Sequence, residues 1–282
     1  PAAIAFLIYL AWHSRSQLSE ILSDAQPGFL LLSLLTWLLM NLVAPLFAVM
    51  VFGGLGNRIG YAEAARIHVT NLPARYLPGG IWHTVGRVIR YREIGVEKRH
   101  LAAFVFLENA LSAATAFILG GTLLVAFRGL QGWGGVAALA VVASIVGLGL
   151  VPTLLKIRVF ATRMALRGRY YLASIVSAML SWCVAASAFV AFVAAFPTLP
   201  VDASRLEIVG AYLFSWGIGF IAIFAPQGVG VFEVAAAELL GGSADITSIV
   251  PLIAMFRLVI LTADVLAWTG LQLAGLMKTS GH

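Results

Sequence analysis

Arg75-Tyr76-Leu77-Pro78-Gly79-Gly80-Ile81-Trp82-His83 breaks an otherwise membrane-like sequence, and Ala225-Pro226-Gln227-Gly228-Val229-Gly230-Val231-Phe232-Glu233 breaks it again in the second half. Each stretch sets proline and glycine in the middle of an apolar run, beside charged or polar side chains. Proline has no N–H to donate and glycine opens dihedrals closed to other residues, so a helix stops at both places. Hydrocarbon holds no water to satisfy the freed backbone groups, each of which costs several kcal/mol unpaired. Such breaks survive in a bilayer only inside protein or beside a wet cavity. Paired interrupted segments in the two halves of a chain point to a transporter's binding site.

Composition places these breaks in a membrane. Of 282 residues, 61% are hydrophobic and only 11% charged, with a mean hydropathy of +0.98. Soluble domains average about 25% charged residues. The chain therefore reads as a single all-α, polytopic transmembrane domain over 1–282, with no room for a separate soluble catalytic domain. The net charge is +6, carried by 15 Arg and 3 Lys against 12 acids. These basic residues lie mostly between apolar runs, where they encode orientation and contact with anionic headgroups rather than nucleic-acid binding. The single Cys183 excludes an intrachain disulfide.

Apolar windows long enough to cross about 30 Å of hydrocarbon fall at 28–52, 101–127, 134–155, 171–196 and 250–276, with a partial one at 1–12. The partial window opens at Pro1 and reads as a shortened sixth helix, with no cleavable signal peptide. Lys156, Arg158, Arg163, Arg167 and Arg169 crowd one connection without an acid, which marks it as cytoplasmic. Counting crossings from there makes both flanks of 67–91 cytoplasmic, so this piece is predicted to enter and return as a re-entrant hairpin tipped by Pro78-Gly79-Gly80. The same count makes 206–242 a second re-entrant hairpin from the external face. This topology puts both termini in the cytoplasm and 12 basic residues inside against 3 outside. One hairpin from each face is the signature of an inverted repeat, although the halves show no residue-level similarity.

The first hairpin offers Arg75 before the break and His83 and Arg87, four apart on one helical face, after it. A helix starting near Ile81 would aim free N–H groups at the tip, a ready anion site. Two guanidiniums, an imidazole and open amides suit a phosphate or carboxylate. The plainer reading has Arg75 and Arg87 snorkelling to the interface and Trp82 anchoring there. The second hairpin offers Gln227, open backbone at Gly228 and Gly230, and Glu233, with Glu238 further along. Glu233 needs a partner in lipid: an arginine of the first hairpin, a proton, a cationic headgroup or a structural salt bridge. Glu108, beside Asn109, and the pair Arg257 and Asp264 are embedded in long spans, where charges face the bundle interior and pair. The favoured arrangement clusters Glu108 and Arg257 with Glu233, as a staple or as an ion relay. Asn41 reads as a packing hydrogen bond.

No nucleotide-binding Gly-rich Lys-Ser/Thr loop, no metal-ligand spacing and no Asp-rich metal motif occurs, so neither a cofactor nor a metal is expected. Arg75-Tyr76-Leu77-Pro78-Gly79-Gly80-Ile81-Trp82 with Gly86-Arg87, the Pro226-to-Glu233 run, and Arg257 followed by Asp264 together resemble the signatures of the lysylphosphatidylglycerol synthase transmembrane-region family, flippase-like membrane proteins. The likeness spans roughly 28–276. It implies movement of lipids between leaflets, and this chain lacks the cytosolic aminoacyltransferase domain fused to many members.

The expectation is thus a lipid translocase of a prokaryotic cytoplasmic membrane. Arg75, Pro78, Gly79, Gly80, Trp82, His83, Arg87, Gln227, Gly228, Gly230 and Glu233 would bind the phosphate-bearing headgroup of a phospholipid, glycolipid or polyprenyl-linked lipid. Glu108, Arg257 and Asp264 would serve as ion pairs or coupling groups. The partners expected are membrane lipids, with a second copy or a lipid-synthesising enzyme left open. Two competing readings are an enzyme or enzyme subunit acting on a lipid-linked headgroup through His83 or Glu233, and a small-solute transporter.

Overall fold

The computed structural model describes residues 23–77, 80–156, 166–198, 203–222, 228, 230–241 and 246–279, with the side chains of 241, 246–248 and 275–279 left aside. Pro78, Gly79, Gln227 and the window at 1–12 lie outside the described residues. The described elements are α1 (Pro27–Val43), α2 (Pro45–Gly54), α3 (Tyr61–Thr70), a 3-10 turn (Leu72–Tyr76), α4 (Trp82–Glu93), α5 (Lys98–Arg128), α6 (Trp133–Leu154), α7 (Gly168–Ala194), α8 (Arg205–Ile221), α9 (Val231–Gly241) and α10 (Ile246–Thr279).

Five spans are long and apolar enough to cross a membrane: Pro27–Gly54, Lys98–Arg128, Trp133–Leu154, Gly168–Ala194 and Ile249–Ala274. They coincide with the five full windows read from hydropathy. The first is α1 and α2 joined at Ala44, which keeps helical dihedrals, with Pro45 removing one backbone donor at the joint. The outer surface fits a bilayer. Leu31, Leu35 and Leu42 of α1 and Leu139, Val142 and Val146 of α6 are all at least half exposed, a density of apolar surface that only lipid or another protein covers. The chain is an all-α polytopic membrane protein.

Both breaks separate short helices that fold back on each other. In the first half α3, the 3-10 turn and α4 follow one another around the break and pack together. In the second half α8 and α9 pack against each other around the break. Each hairpin is flanked by membrane-length helices, α1–α2 and α5 in one half, α7 and α10 in the other, with α6 between the halves.

Lipid tails are as apolar as leucine, so no hydrophobic force drives helices together; close backbone approach and dispersion must do it. Gly120 of α5 shows this directly. A Cβ there would stand 2.5 Å from the backbone nitrogen of Phe214 and 3.0 Å from the carbonyl oxygen of Gly210, so α5 and α8 cross backbone against backbone. Two aromatic clusters fill the interior. Phe189, Phe192, Tyr212, Phe232 and Phe256 join α7 to α10. Phe47, Phe52, Tyr91 and Phe104 join α2, α4 and α5. Each hairpin rests on its own cluster.

Candidate functional site

Helix α10 is the post to which both hairpins are tied. Asp264 is 1% exposed and accepts three hydrogen bonds from two different elements. Arg75 Nη1 and Tyr76 Oη each donate to Oδ2 at 2.9 Å, and Asn41 Nδ2 donates to Oδ1 at 3.2 Å. A buried carboxylate is costly unless paired and hydrogen-bonded, and these donors supply both. Two turns earlier on the same helix, about 10 Å along its axis, Arg257 donates through Nε to Oε1 of Glu233. Glu233 is fully buried. Its second oxygen accepts from the Gly230 N–H at 2.7 Å, so the carboxylate caps the first turn of α9 in the manner of a capping box. Arg257 also lies over the Phe232 ring, 5.9 Å from its centre.

Glycine permits the backbone that makes this possible. Gly228 has φ of +66°, and a Cβ there would meet the backbone of Gly219 at 2.9 Å. The arms of the second hairpin therefore touch through two glycines just beside the break.

From Asp264 a strip of polar groups runs away through the first hairpin. Asn41 turns its own Oδ1 toward His68 Nε2 at 3.4 Å. The His68 ring meets the His83 ring edge to face, with centres 5.4 Å apart. One turn further along α4, Arg87 forms a bidentate fork with Glu108 of α5, at 2.7 and 2.6 Å. Asn41, His68, His83 and Arg87 are all at least nine-tenths buried. Two of their polar atoms, His83 Nε2 and Arg87 Nε, have no hydrogen-bond partner among the described residues.

The site residues expected from sequence divide accordingly. Arg75, His83, Arg87, Glu108 and Asp264 belong to the strip, and Gly230, Glu233 and Arg257 to the second tie. Gly80, Gly228 and Gly230 all adopt positive φ, as the breaks require. Trp82 stands 46% exposed on the outer surface, a position suited to the anchoring reading.

Two expectations need correction. Glu108 does not cluster with Arg257. Helix α5 packs on α2, α4, α6, α7 and α8, whereas α10 packs on α1, α3, α9 and the 3-10 turn, so the two charges belong to different neighbourhoods. Nor do Arg75 and Arg87 present a bare positive tip. Each carries a carboxylate, as does Arg257, and the three embedded arginines are balanced by three acids.

Sequence reasoning missed four groups. His68 and Tyr76 complete the strip. Tyr212 Oη and Ser215 Oγ of α8 are fully buried and lack a partner among the described residues. The signal was available for the last two: Tyr212, Ser215 and Gly219 recur at helical spacing on an otherwise apolar helix that leads into the second break.

The fold and this site define a class, a helical membrane protein whose two broken hairpins are bound to one shared helix by ion pairs with buried carboxylates. Compared with models of known protein families the chain matches none, and comparison with curated proteins gives no match.

Proposed function

We propose that the chain is a lipid translocase that takes a phosphate-bearing headgroup between its two hairpins while the acyl tails stay in lipid. One observation carries the reading. Both hairpins are tied to α10 by arginines paired with fully buried carboxylates, Arg75 with Asp264 and Arg257 with Glu233, and the polar strip that leads away from Asp264 holds two buried atoms, His83 Nε2 and Arg87 Nε, without a hydrogen-bond partner among the described residues. Three membrane-length helices, α5, α6 and α7, separate the hairpins. An odd number of crossings between them supports mouths on opposite faces, the arrangement that alternating access by two inverted units requires.

The balanced charges suit exchange rather than simple capture. A buried ion pair is worth little net, because desolvation offsets most of the attraction. A phosphate would replace Glu108 on Arg87 in the same bidentate fork, and Glu108, 26% exposed, can be released without being stranded in the interior. His83 Nε2 and Arg87 Nε, without partners among the described residues, would gain them. Release on the other side restores the carboxylate. The likeness to flippase-like proteins in the two break motifs supports the same reading, as does the wealth of basic residues on the expected cytoplasmic side.

The test is transbilayer movement of a headgroup-labelled phospholipid in vesicles holding the purified chain, read by bleaching the outer leaflet. The wild-type chain should bring inner-leaflet label to the surface, and Arg75→Ala and Arg87→Ala should stop it in protein that still elutes as one folded species. Undiminished movement in both variants rejects this site. A chemically altered lipid in mass spectra would favour an enzyme, and solute uptake indifferent to headgroup would favour a solute transporter.

A further inference from the structure

Between α4 and α5 the chain reverses, and the reversal leaves a groove of about 830 Å3 that is open along one side. Its walls are Val88 of α4 and Leu101, Ala102, Val105, Phe106, Asn109 and Ala110 of α5, with the Asn109 amide turned back to donate to the Val105 carbonyl at 2.7 Å. Its mouth holds two exposed cations, Arg92 and Lys98, one from each helix. The acids nearby are already occupied: Glu93 pairs with Arg90 at 2.9 Å and Glu97 with Arg99 at 2.6 Å. Among the described residues neither Arg92 nor Lys98 is in an ion pair.

The dimensions name the occupant. From Leu101 to Ala110 a helix rises about 14 Å, close to one leaflet of a hydrocarbon core roughly 30 Å thick. The groove flanks a membrane-length helix, so its open side faces lipid. Apolar walls one leaflet deep, closed at headgroup level by two uncompensated cations, complement an acyl chain beneath a phosphate. The site is separate from the buried strip: Arg92 and Lys98 are exposed, whereas Arg87 is 6% exposed and held by Glu108.

We infer that this groove seats one anionic phospholipid from the leaflet on the Arg92 side. Its phosphate lies between Arg92 and Lys98, and one acyl chain runs along Ala102, Val105 and Phe106. Such a lipid would stay bound whether or not the protein moves lipids, and it would brace the reversal that positions Arg87 against Glu108.

The test is native mass spectrometry of the full chain in mild detergent, incubated with equimolar phosphatidylglycerol and phosphatidylcholine. Wild-type protein should retain phosphatidylglycerol in preference. Arg92→Gln with Lys98→Gln should reduce that preference roughly thirtyfold, since each basic residue at the surface contributes about 1 kcal/mol. Ala102→Trp, at an exposed wall position, should expel the lipid while leaving both cations in place. A control, Arg58→Gln with Arg167→Gln, should keep the wild-type preference. Wild-type preference in the groove variant, or an equal loss in the control, overturns the inference. Unchanged lipid with a changed oligomeric state in Ala102→Trp would give the groove to a second copy instead.

Discussion

Glu108→Gln isolates what the buried fork contributes. The substitution keeps the shape of the side chain and removes its charge, leaving the Arg87 guanidinium with one neutral acceptor in place of a carboxylate. Arg87 is 6% exposed and packs 5.5 Å from the centre of the Phe104 ring, so it has no short route to water. Removing one partner of a buried pair costs about 3–5 kcal/mol. Glu108 is itself about a quarter exposed, 26%, and the amide still accepts one hydrogen bond, which sets the expected loss near 3 kcal/mol at the low end of that range. At roughly 2–4 °C per kcal/mol for a large domain, the melting midpoint should fall by about 6–12 °C. Tryptophan fluorescence during heating in detergent would read it. Removing both charges, as Arg87→Met with Glu108→Gln, should recover most of the loss, because an apolar replacement for a buried pair is often neutral or better. The recovered double variant then separates stability from transport: it should fold and yet move no labelled lipid. A midpoint for Glu108→Gln within 1 °C of wild type, or a double variant as unstable as the sum of its parts, would refute the view that Arg87 and Glu108 depend on each other.

Gly228→Ala should cost about 1–3 kcal/mol, since it adds a Cβ at φ +66° against the Gly219 backbone 2.9 Å away; a melting midpoint equal to wild type would mean that the arms of the second hairpin can part without penalty. Ser204 accepts from the Glu207 N–H at 3.3 Å, and Glu207 returns a bond to the Ser204 N–H at 2.8 Å, a complete capping box at the head of α8. Ser204→Ala should therefore lower stability by about 1 kcal/mol, with Ser204→Asp close to wild type, both measured by the same thermal assay.

The exterior of the molecule was legible before its interior. Hydropathy windows found all five described spans because the need to cross hydrocarbon acts on each run separately, whatever its neighbours are. The two breaks were legible for the same reason. Proline and glycine act on their own backbone, and the positive φ of Gly80, Gly228 and Gly230 follows from residue type and position. Glu233 was correctly singled out as needing a partner, and Asn41 as a packing hydrogen bond, although its bond to Asp264 makes it a joint of the polar strip.

Partnership was another matter. Sequence placed the embedded charges in the bundle interior, since a lone charge facing lipid is too costly. Which acid meets which arginine depends on which helices touch, and a bilayer supplies no hydrophobic force that would reveal this from apolar patterning. Arg87 meets Glu108 because α4 and α5 are joined by a short reversal and pack side by side. Arg75 meets Asp264, and Glu233 meets Arg257, because α10 lies against the 3-10 turn and α9. Residue type and spacing determined the spans, the breaks and the demand for ion pairs. Tertiary packing alone decided the pairs themselves, because their members stand as far as 189 positions apart along the chain and no local rule connects them.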